Sequence, residues 1–420
     1  MHIVDAFKDG KSVKLRGWVY RCRHQKNAIF IILRDSTGII QCVVKSDSPA
    51  WDEALKADVE ASLELEGTVK KEDRAPTGYE VHVSSLKLIG PSLDFPITRD
   101  VSPEYLLDIR HLSVRSIKLT NVFKIKHTVL YSARDWLKRK GFYEVTPPII
   151  TGSIGEGGSE VFEINYFGKK LYLPQTAQLY LESLVFSLER VFSVTPSFRA
   201  EKSRTRKHLA EYTHLEPEAA WVDNNENMRI QEEMISHIIR TVLKENKPEL
   251  ESLNADLKSL ARVKPPFKRF TYDEALNIVN ENGGKMKFGD DFGADEEKLL
   301  MKGREVPVFI TSWPKEIKAF YMKEDPEDST RYLCSDMISP IGEIIGGSQR
   351  EDDYEKLVSR MRSMKMNIEN YKWYLDLRKY GSVPHSGFGL GIERLTMWIA
   401  NLDTIRDATP FPRTVNRWYP

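Results

Sequence analysis

The chain has 420 residues, 41% apolar and 29% charged, with a formal net charge of only +1. That length allows two or three domains with a sizeable core, and near-neutrality excludes capture of a polyanion by the overall field, so any nucleic-acid affinity must come from local patches. Cys22, Cys42 and Cys334 show no metal-ligand spacing and are expected as buried free thiols, with Cys22 and Cys42 able to sit on adjacent strands; Met1 to Gly10 lacks the apolar run of a signal peptide and no stretch of about 18 apolar residues predicts a membrane span, so a reduced, cytoplasmic setting is expected.

Residues 11–89 read as a small all-β module. Strand-like runs occur at Lys14–Tyr20, Ala28–Leu33, Ile39–Val44, Leu63–Val69 and Glu80–Val83, with turn chemistry at Asp35–Gly38 and Ala75–Gly78 and one helical stretch at Trp51–Val59. Five strands and one helix fit an OB-fold barrel. Between Lys11 and Lys45 there are eight Lys or Arg residues and one acid, Asp35. Such a face suits single-stranded nucleic acid, with bases stacked on a ring such as Phe30; the alternative is a solvated basic surface with Phe30 in the core.

Pro91 to Arg115 carries three prolines without sustained periodicity and reads as a linker or hinge. A helix follows, because Val122, Ile125, Val129, Ala133, Trp136 and Leu137 recur at three- and four-residue intervals and Gly141 offers a C-cap. Phe142–Ile150 is a strand interrupted by Pro147 and Pro148, which belongs at a sheet edge or an interface. Thr151–Glu160, TGSIGEGGSE, lacks the strand-to-helix context of a nucleotide fingerprint and is either a flexible loop or a lid. Gln175–Glu182 opens a further helix.

Phe198–Trp221 reads as two strands joined by a basic loop. Period-two alternation puts Ser197, Arg199 and Glu201 on one face of the first arm, and Tyr212, His214, Glu216 and Glu218 on one face of the second, with Thr213, Leu215, Pro217, Ala219 and Trp221 behind. A face with this much charge must meet water or a polar ligand, since buried unpaired charges cost several kcal/mol each. The loop adds Lys202, Arg204, Arg206, Lys207 and His208, which suits a polyanion such as a nucleoside triphosphate.

Residues 224–261 predict one or two charged helices without evident chemistry, and 262–304 an insertion-like region whose Gly289–Gly293 run is expected as a solvated turn rather than a metal loop. Asp336 and Glu343 stand seven apart, and Glu343 opens EIIGGSQR, ending at Arg350. Two carboxylates, a glycine pair and an arginine suggest a hard cation with an anionic ligand, or else an ion pair between Glu343 and Arg350. Gly387–Arg394, GFGLGIER, alternates glycine before a helix, clearing one face so that a flat group can approach the backbone.

Gly141–Ile150 with Pro148, Phe198–Trp221 and Gly387–Arg394 together resemble the three signature motifs of the class II aminoacyl-tRNA synthetases, in their family order and over essentially the whole chain. The resemblance implies an α+β protein: residues 1–90 an OB-fold anticodon-binding domain, 91–115 a hinge, and 116–420 a catalytic domain with a mainly antiparallel sheet flanked by helices, the layout of the aspartate, asparagine and lysine branch. It implies that Pro148 lies at a homodimer interface. ATP would be held by Arg199 on the α-phosphate, Glu201 on the adenine amino group and His208 on the terminal phosphate, with Tyr212 and Arg394 around adenine and Lys207, Leu209, Glu218, Glu343 and Gly391 nearby; Arg199 and Arg394 are the catalytic candidates. Asp336 and Glu343 would engage Mg²⁺, and Glu160 and Gln178 the α-ammonium of the amino acid. On the barrel it puts Phe30 under the middle anticodon base, with Gln41 and Arg23 beside it.

The motif wording is most like that of the archaeal members that charge tRNA(Asn) with L-asparagine. The aspartyl relatives hold a substrate carboxylate with a lysine and an arginine near an aspartate; Leu181, Arg350 and Glu216 occupy those positions here. An asparagine amide would accept from Arg350 and donate to Glu216. Gly346 stands where those relatives place a serine able to ligate metal, which leaves the number of Mg²⁺ ions open. The alternatives are an aspartyl enzyme, including one that charges two tRNAs, a tRNA-independent asparagine synthetase, or a nucleic-acid-binding regulator with an inactive synthetase domain.

Overall fold

In the computed structural model, which describes residues 1–98, 100–155, 160–202 and 205–420, the first five strands close into a barrel in the order β1-β2-β3-β5-β4. These are β1 (Ser12–His24), β2 (Ala28–Arg34), β3 (Ile39–Lys45), β4 (Ser62–Lys71) and β5 (Tyr79–Gly90). Alternation decides what points inward: Ile29, Ile31 and Leu33 of β2 are fully buried in the barrel core, while Phe30 between them is only half-buried and outside it. The core placement of Phe30 is thereby excluded. The predicted helical stretch shrinks to one turn, Trp51–Ala54. Cys22 and Cys42 both stand opposite Ile31, on β1 and β3; they are separated by β2 rather than adjacent, and all three thiols are free.

Contacts divide the chain into two units, Met1–Leu107 and Asp108–Pro420. The second is built on an eight-stranded sheet in the order β11-β12-β13-β14-β15-β10-β9-β6. Its strands are β6 (Tyr143–Glu144), β9 (Arg190–Phe198), β10 (Glu211–Ala220), β11 (Lys268–Thr271), β12 (Val308–Pro314), β13 (Arg331–Ser339), β14 (Gly342–Gln349) and β15 (His385–Gly391); β7 (Glu163–Tyr166) and β8 (Lys169–Tyr172) pair separately. All neighbours run antiparallel except the two outermost pairs, β11 with β12 and β6 with β9.

One face of this sheet is covered by helices. The helix Ile117–Arg139 starts where the Ser116 hydroxyl accepts from Leu119 N (3.3 Å), a cap worth about 1 kcal/mol. It ends at Gly141, whose φ of +82° lets Phe142 N reach back to Leu137 O. Its six periodic apolar residues enter one core with the helix Asn224–Glu245 and with Leu215, Ala219, Met337, Ile345, Phe388 and Leu390 of the sheet. The prolines after Phe142 cut the predicted strand to two residues at the sheet edge. Residues 262–304 are no appendage: they supply β11 and two helices, Tyr272–Glu281 and Ala294–Leu300. The Gly289–Gly293 run is a turn tied to Tyr272, which donates to Asp290 O (2.7 Å), and no metal-holding group of three His, Cys, Asp or Glu occurs among the described residues. Among them no helix is long and apolar enough to cross a membrane.

Candidate active site

Because Leu215 and Ala219 of β10 point into the helix-packed core, the pleat turns His214, Glu216 and Glu218 to the other face. There they line a cleft of about 450 Å³ together with Gln178, Leu181, Arg199, Lys318, Asp336, Glu343, Gly346 and Arg350. A narrower recess of about 60 Å³ shares Arg199, His214 and Glu343 with it and adds Lys207, His208, Leu209, Tyr212, Gly391 and Arg394. Folding thus gathers the residues singled out along more than 200 positions onto one side of one sheet.

The recess is cationic and ring-lined. The Arg199 guanidinium lies 5.7 Å from the centre of the Tyr212 ring and 3.7 Å from the Glu201 carboxylate. Both Arg199 and Glu201 fall just beyond the end of β9, so they extend the strand pair rather than belong to it. Arg394, in the first turn of the helix Ile392–Ile399, donates to Glu343 O (3.0 Å) and stands 3.6 Å from its carboxylate. His208 bonds Thr205 through Nδ1; burial, then the charge of Arg394, lowers its pKa below the usual histidine value. Glu160 is exposed, and slight desolvation followed by the Glu201 charge raises its pKa. Residues 156–159 of the glycine-rich loop and Ser203 and Arg204 of the basic loop lie outside the described residues.

At the inner end of the cleft the pairing differs from the sequence expectation. Arg350 ion-pairs with Glu218 (2.6–2.7 Å) and donates to Ser348 Oγ (2.7 Å), so it pairs neither with Glu343 nor with Glu216. Glu218, expected beside the ATP phosphates, is therefore the partner of the amino-acid-side arginine. Glu216 instead accepts from Thr176 Oγ1 and from Ala177 N (3.0 Å), with the His214 ring 3.4 Å away. Gln178 donates to Glu182 (2.9 Å), which is fully buried with Arg378, Tyr374 and His385 around it. Burial would raise Glu182, but Arg378 and His385 hold it far below the ordinary carboxylate range.

The glycines of β15 have a different occupant from the flat group expected. A Cβ at Gly387 would fall 1.9 Å from Glu218 Oε2, and one at Gly389 2.2 Å from His214 Nε2. The two bare positions make room for side chains of the neighbouring strand β10, whereas a Cβ at Gly391 would only come into ordinary contact, 3.9 Å, with the Arg394 side chain.

Asp336 on β13 and Gly346 on β14 are register partners. A Cβ at Gly346 would lie 3.2 Å from Glu343 Oε1 and 3.5 Å from Asp336 Oδ1, so these two oxygens converge over a bare backbone position, a cradle that fits a small hard cation. Burial would raise Glu343, but Arg394, Lys318 and Arg199 together hold it ionised below its ordinary value.

Two residues of the site escaped the sequence reading. Lys318 sits in the cleft 2.6 Å from Asp336 Oδ2, over the Trp313 ring. Glu297, on the helix Ala294–Leu300, accepts from Glu343 N (2.9 Å) and stands 4.0 Å from Lys207 Nζ. Burial, then the Glu343 charge, pushes Glu297 up to about 7. Neither had a legible signal: a lysine after a short turn and a glutamate in a charged helix look like solvated surface.

On the barrel, Arg23 is the cross-strand partner of Phe30, its guanidinium 5.1 Å from the ring centre. Gln41 on β3 donates to Glu80 (2.8 Å), which also meets His82. Pro148 is exposed, near the exposed Tyr143 and Ile150.

A family model described as tRNA synthetases class II (D, K and N) matches residues 102–415, and one described as OB-fold nucleic acid binding domain matches residues 13–89. The asparagine–tRNA ligase of Thermococcus gammatolerans is 52% identical over 416 residues, 98% of this chain and 97% of its own, and that of Thermococcus kodakarensis is 53% identical over 417, with the same coverage. Among solved structures, Pyrococcus horikoshii asparaginyl-tRNA synthetase complexed with asparaginyl-adenylate superposes with a TM-score of 0.95 at 50% identity, covering 98% of this chain and 97% of that one. The Entamoeba histolytica asparaginyl-tRNA synthetase, also in complex with asparaginyl-adenylate, gives 0.90 at 32%, covering 99% and 98%.

Proposed function

The chain belongs to the class II tRNA synthetases of the aspartate, lysine and asparagine group, and from that premise we propose that it attaches L-asparagine to tRNA(Asn) in two steps, through an asparaginyl-adenylate made from ATP. The observation that carries the choice of amino acid is the charge of the inner cleft. Arg350 is bound to Glu218, Glu216 shares that face of β10, and apolar Leu181 is also among the residues lining the cleft. A substrate carboxylate would add a third negative charge to that end, whereas an asparagine amide adds none and offers both a donor and an acceptor. Buried polar recognition of this kind discriminates by up to about 10⁴-fold. The arrangement disfavours an aspartyl enzyme, and the basic barrel with its half-buried, outward-facing Phe30 disfavours a tRNA-independent synthetase.

Activation needs no general base. The α-carboxylate of asparagine is already an anion at neutral pH; its oxygen attacks the α-phosphorus in line, the bond to the bridging oxygen breaks, and pyrophosphate leaves. Arg199 holds the α-phosphate and takes up developing charge, Tyr212 and Arg394 flank adenine, Glu201 binds its amino group, and Lys207 and His208 face the terminal phosphates. Glu160 and Gln178 orient the α-ammonium. A Mg²⁺ ion held by Asp336 and Glu343 would neutralise phosphate charge when bound. In the second step the terminal ribose hydroxyl of the tRNA attacks the acyl carbon and AMP leaves. Phe30, Arg23 and Gln41 read the anticodon, and the exposed surface around Tyr131, Tyr143, Pro148 and Ile150 supports a homodimer.

Amino-acid-dependent pyrophosphate exchange tests the reading. Asparagine is expected to support exchange at least about 100-fold better than aspartate in kcat/KM. Stronger exchange with aspartate would overturn the assignment.

A further inference from the structure

Each of the two metal-facing carboxylates has one oxygen committed to a fixed cation of the protein. Asp336 Oδ2 takes the Lys318 ammonium at 2.6 Å, and Glu343 Oε2 faces Arg394 at 3.6 Å. The other two oxygens, Asp336 Oδ1 and Glu343 Oε1, converge over Gly346. Lys318 is not a solvated lysine that drifted into range. Its side chain is only 14% exposed, its ammonium lies 3.6 Å from the centre of the Trp313 ring, and Trp313 is itself locked by donation to Ile310 O (3.1 Å). A carboxylate and an aromatic face thus hold this cation from two sides.

The charges of this corner therefore largely cancel before any ligand arrives: Asp336, Glu343 and Glu297 stand against Lys318, Arg394, Arg199 and Lys207. A divalent cation entering the cradle would meet little net attraction from the protein and would feel Lys318 across Asp336. It gains its counter-charge only when nucleotide phosphates arrive with it. Gly346 adds no side-chain oxygen to the cradle. Building on the reading of Asp336 and Glu343 as the metal-facing pair, we propose that Lys318 is a resident monovalent counter-ion occupying the outer oxygen of Asp336, so that the chain itself holds one divalent cation and holds it only together with the nucleotide.

Mn²⁺ binding to the full chain, counted by electron paramagnetic resonance with and without a non-hydrolysable ATP analogue, tests this. Wild-type protein is expected to show no saturable Mn²⁺ site without the analogue and one protein-held ion with it, after subtraction of analogue-bound metal measured alone. Lys318→Met and Lys318→Gln remove the charge, the second keeping a hydrogen bond to Asp336, and either is expected to show a saturable Mn²⁺ site without nucleotide, about tenfold or more tighter than the wild-type detection limit, while Lys318→Arg behaves as wild type. Saturable Mn²⁺ binding by nucleotide-free wild type, or unchanged affinity in a folded Lys318→Gln, would overturn the role of Lys318 and leave the metal-facing pair standing. No Mn²⁺ retained by any of these proteins even with the analogue would overturn both.

Discussion

Arg350 shows where single residues decide the reaction and where sequence reading stops. Its place at the amino-acid end was expected from the resemblance to the aspartyl relatives, not from any local pattern; its partner was not legible, because Glu216 and Glu218 share a face of β10 and alternation alone cannot choose between them. The choice is made by the neighbouring strand: Gly387 stands opposite Glu218 and clears the space its carboxylate needs to reach Arg350. Arg350→Lys keeps the charge but loses the planar fork, and is expected to raise the KM for asparagine about tenfold or more while leaving the KM for ATP unchanged. Equal rises in both constants would mean that Arg350 supports the fold rather than the substrate. His208 permits a pH test. Burial and Arg394 depress its pKa, so the ring is neutral at pH 7, and phosphate charge favours the protonated form. ATP binding is accordingly expected to tighten as pH falls from about 7 to about 6, and His208→Asn to flatten that slope. A slope unchanged by the substitution would remove His208 from the phosphate site.

At the scale of elements, the strands bearing the site were legible through their alternation, and the helix Ile117–Arg139 through its six periodic apolar residues and Gly141. Elements without a period of their own were not. The segment 262–304 mixes charge with scattered apolar residues, yet Phe270, Tyr272 and Ala275 join a core with Ile310 and Trp313 that only the completed sheet creates. The glycines of β15 were legible as a bare face, but their occupants come from β10 and depend on inter-strand register, which no local pattern states. Gly387→Ala tests that account. Its Cβ would collide with the Glu218 carboxylate, a group held by Arg350, so the variant is expected to lose about 2 kcal/mol or more of stability in urea unfolding, and asparagine-dependent exchange with it. Unchanged stability and exchange would show that Glu218 has another rotamer available and that its pairing with Arg350 is dispensable.

At the scale of the molecule, the two units have separate interiors. Among the described residues, Ile29, Ile31, Leu33 and their neighbours fill the barrel core, and the core shared by the sheet and helices of the second unit is built from residues within Asp108–Pro420. Every residue assigned to ATP, asparagine and metal lies within Asp108–Pro420, and every residue assigned to the anticodon within Met1–Leu107. Chemistry and tRNA selection should therefore separate when the chain is cut between them. A protein comprising residues 108–420 is expected to keep asparagine-dependent pyrophosphate exchange within about tenfold of the full chain, because every residue assigned to ATP and asparagine is retained, and to lose about 100-fold or more in tRNA charging, because anticodon contacts no longer hold the substrate. Phe30→Ala in the full chain should reproduce the second effect in milder form and spare the first. If exchange falls as far as charging in either protein, the barrel supports adenylate formation directly and the division of labour drawn from the two cores is wrong.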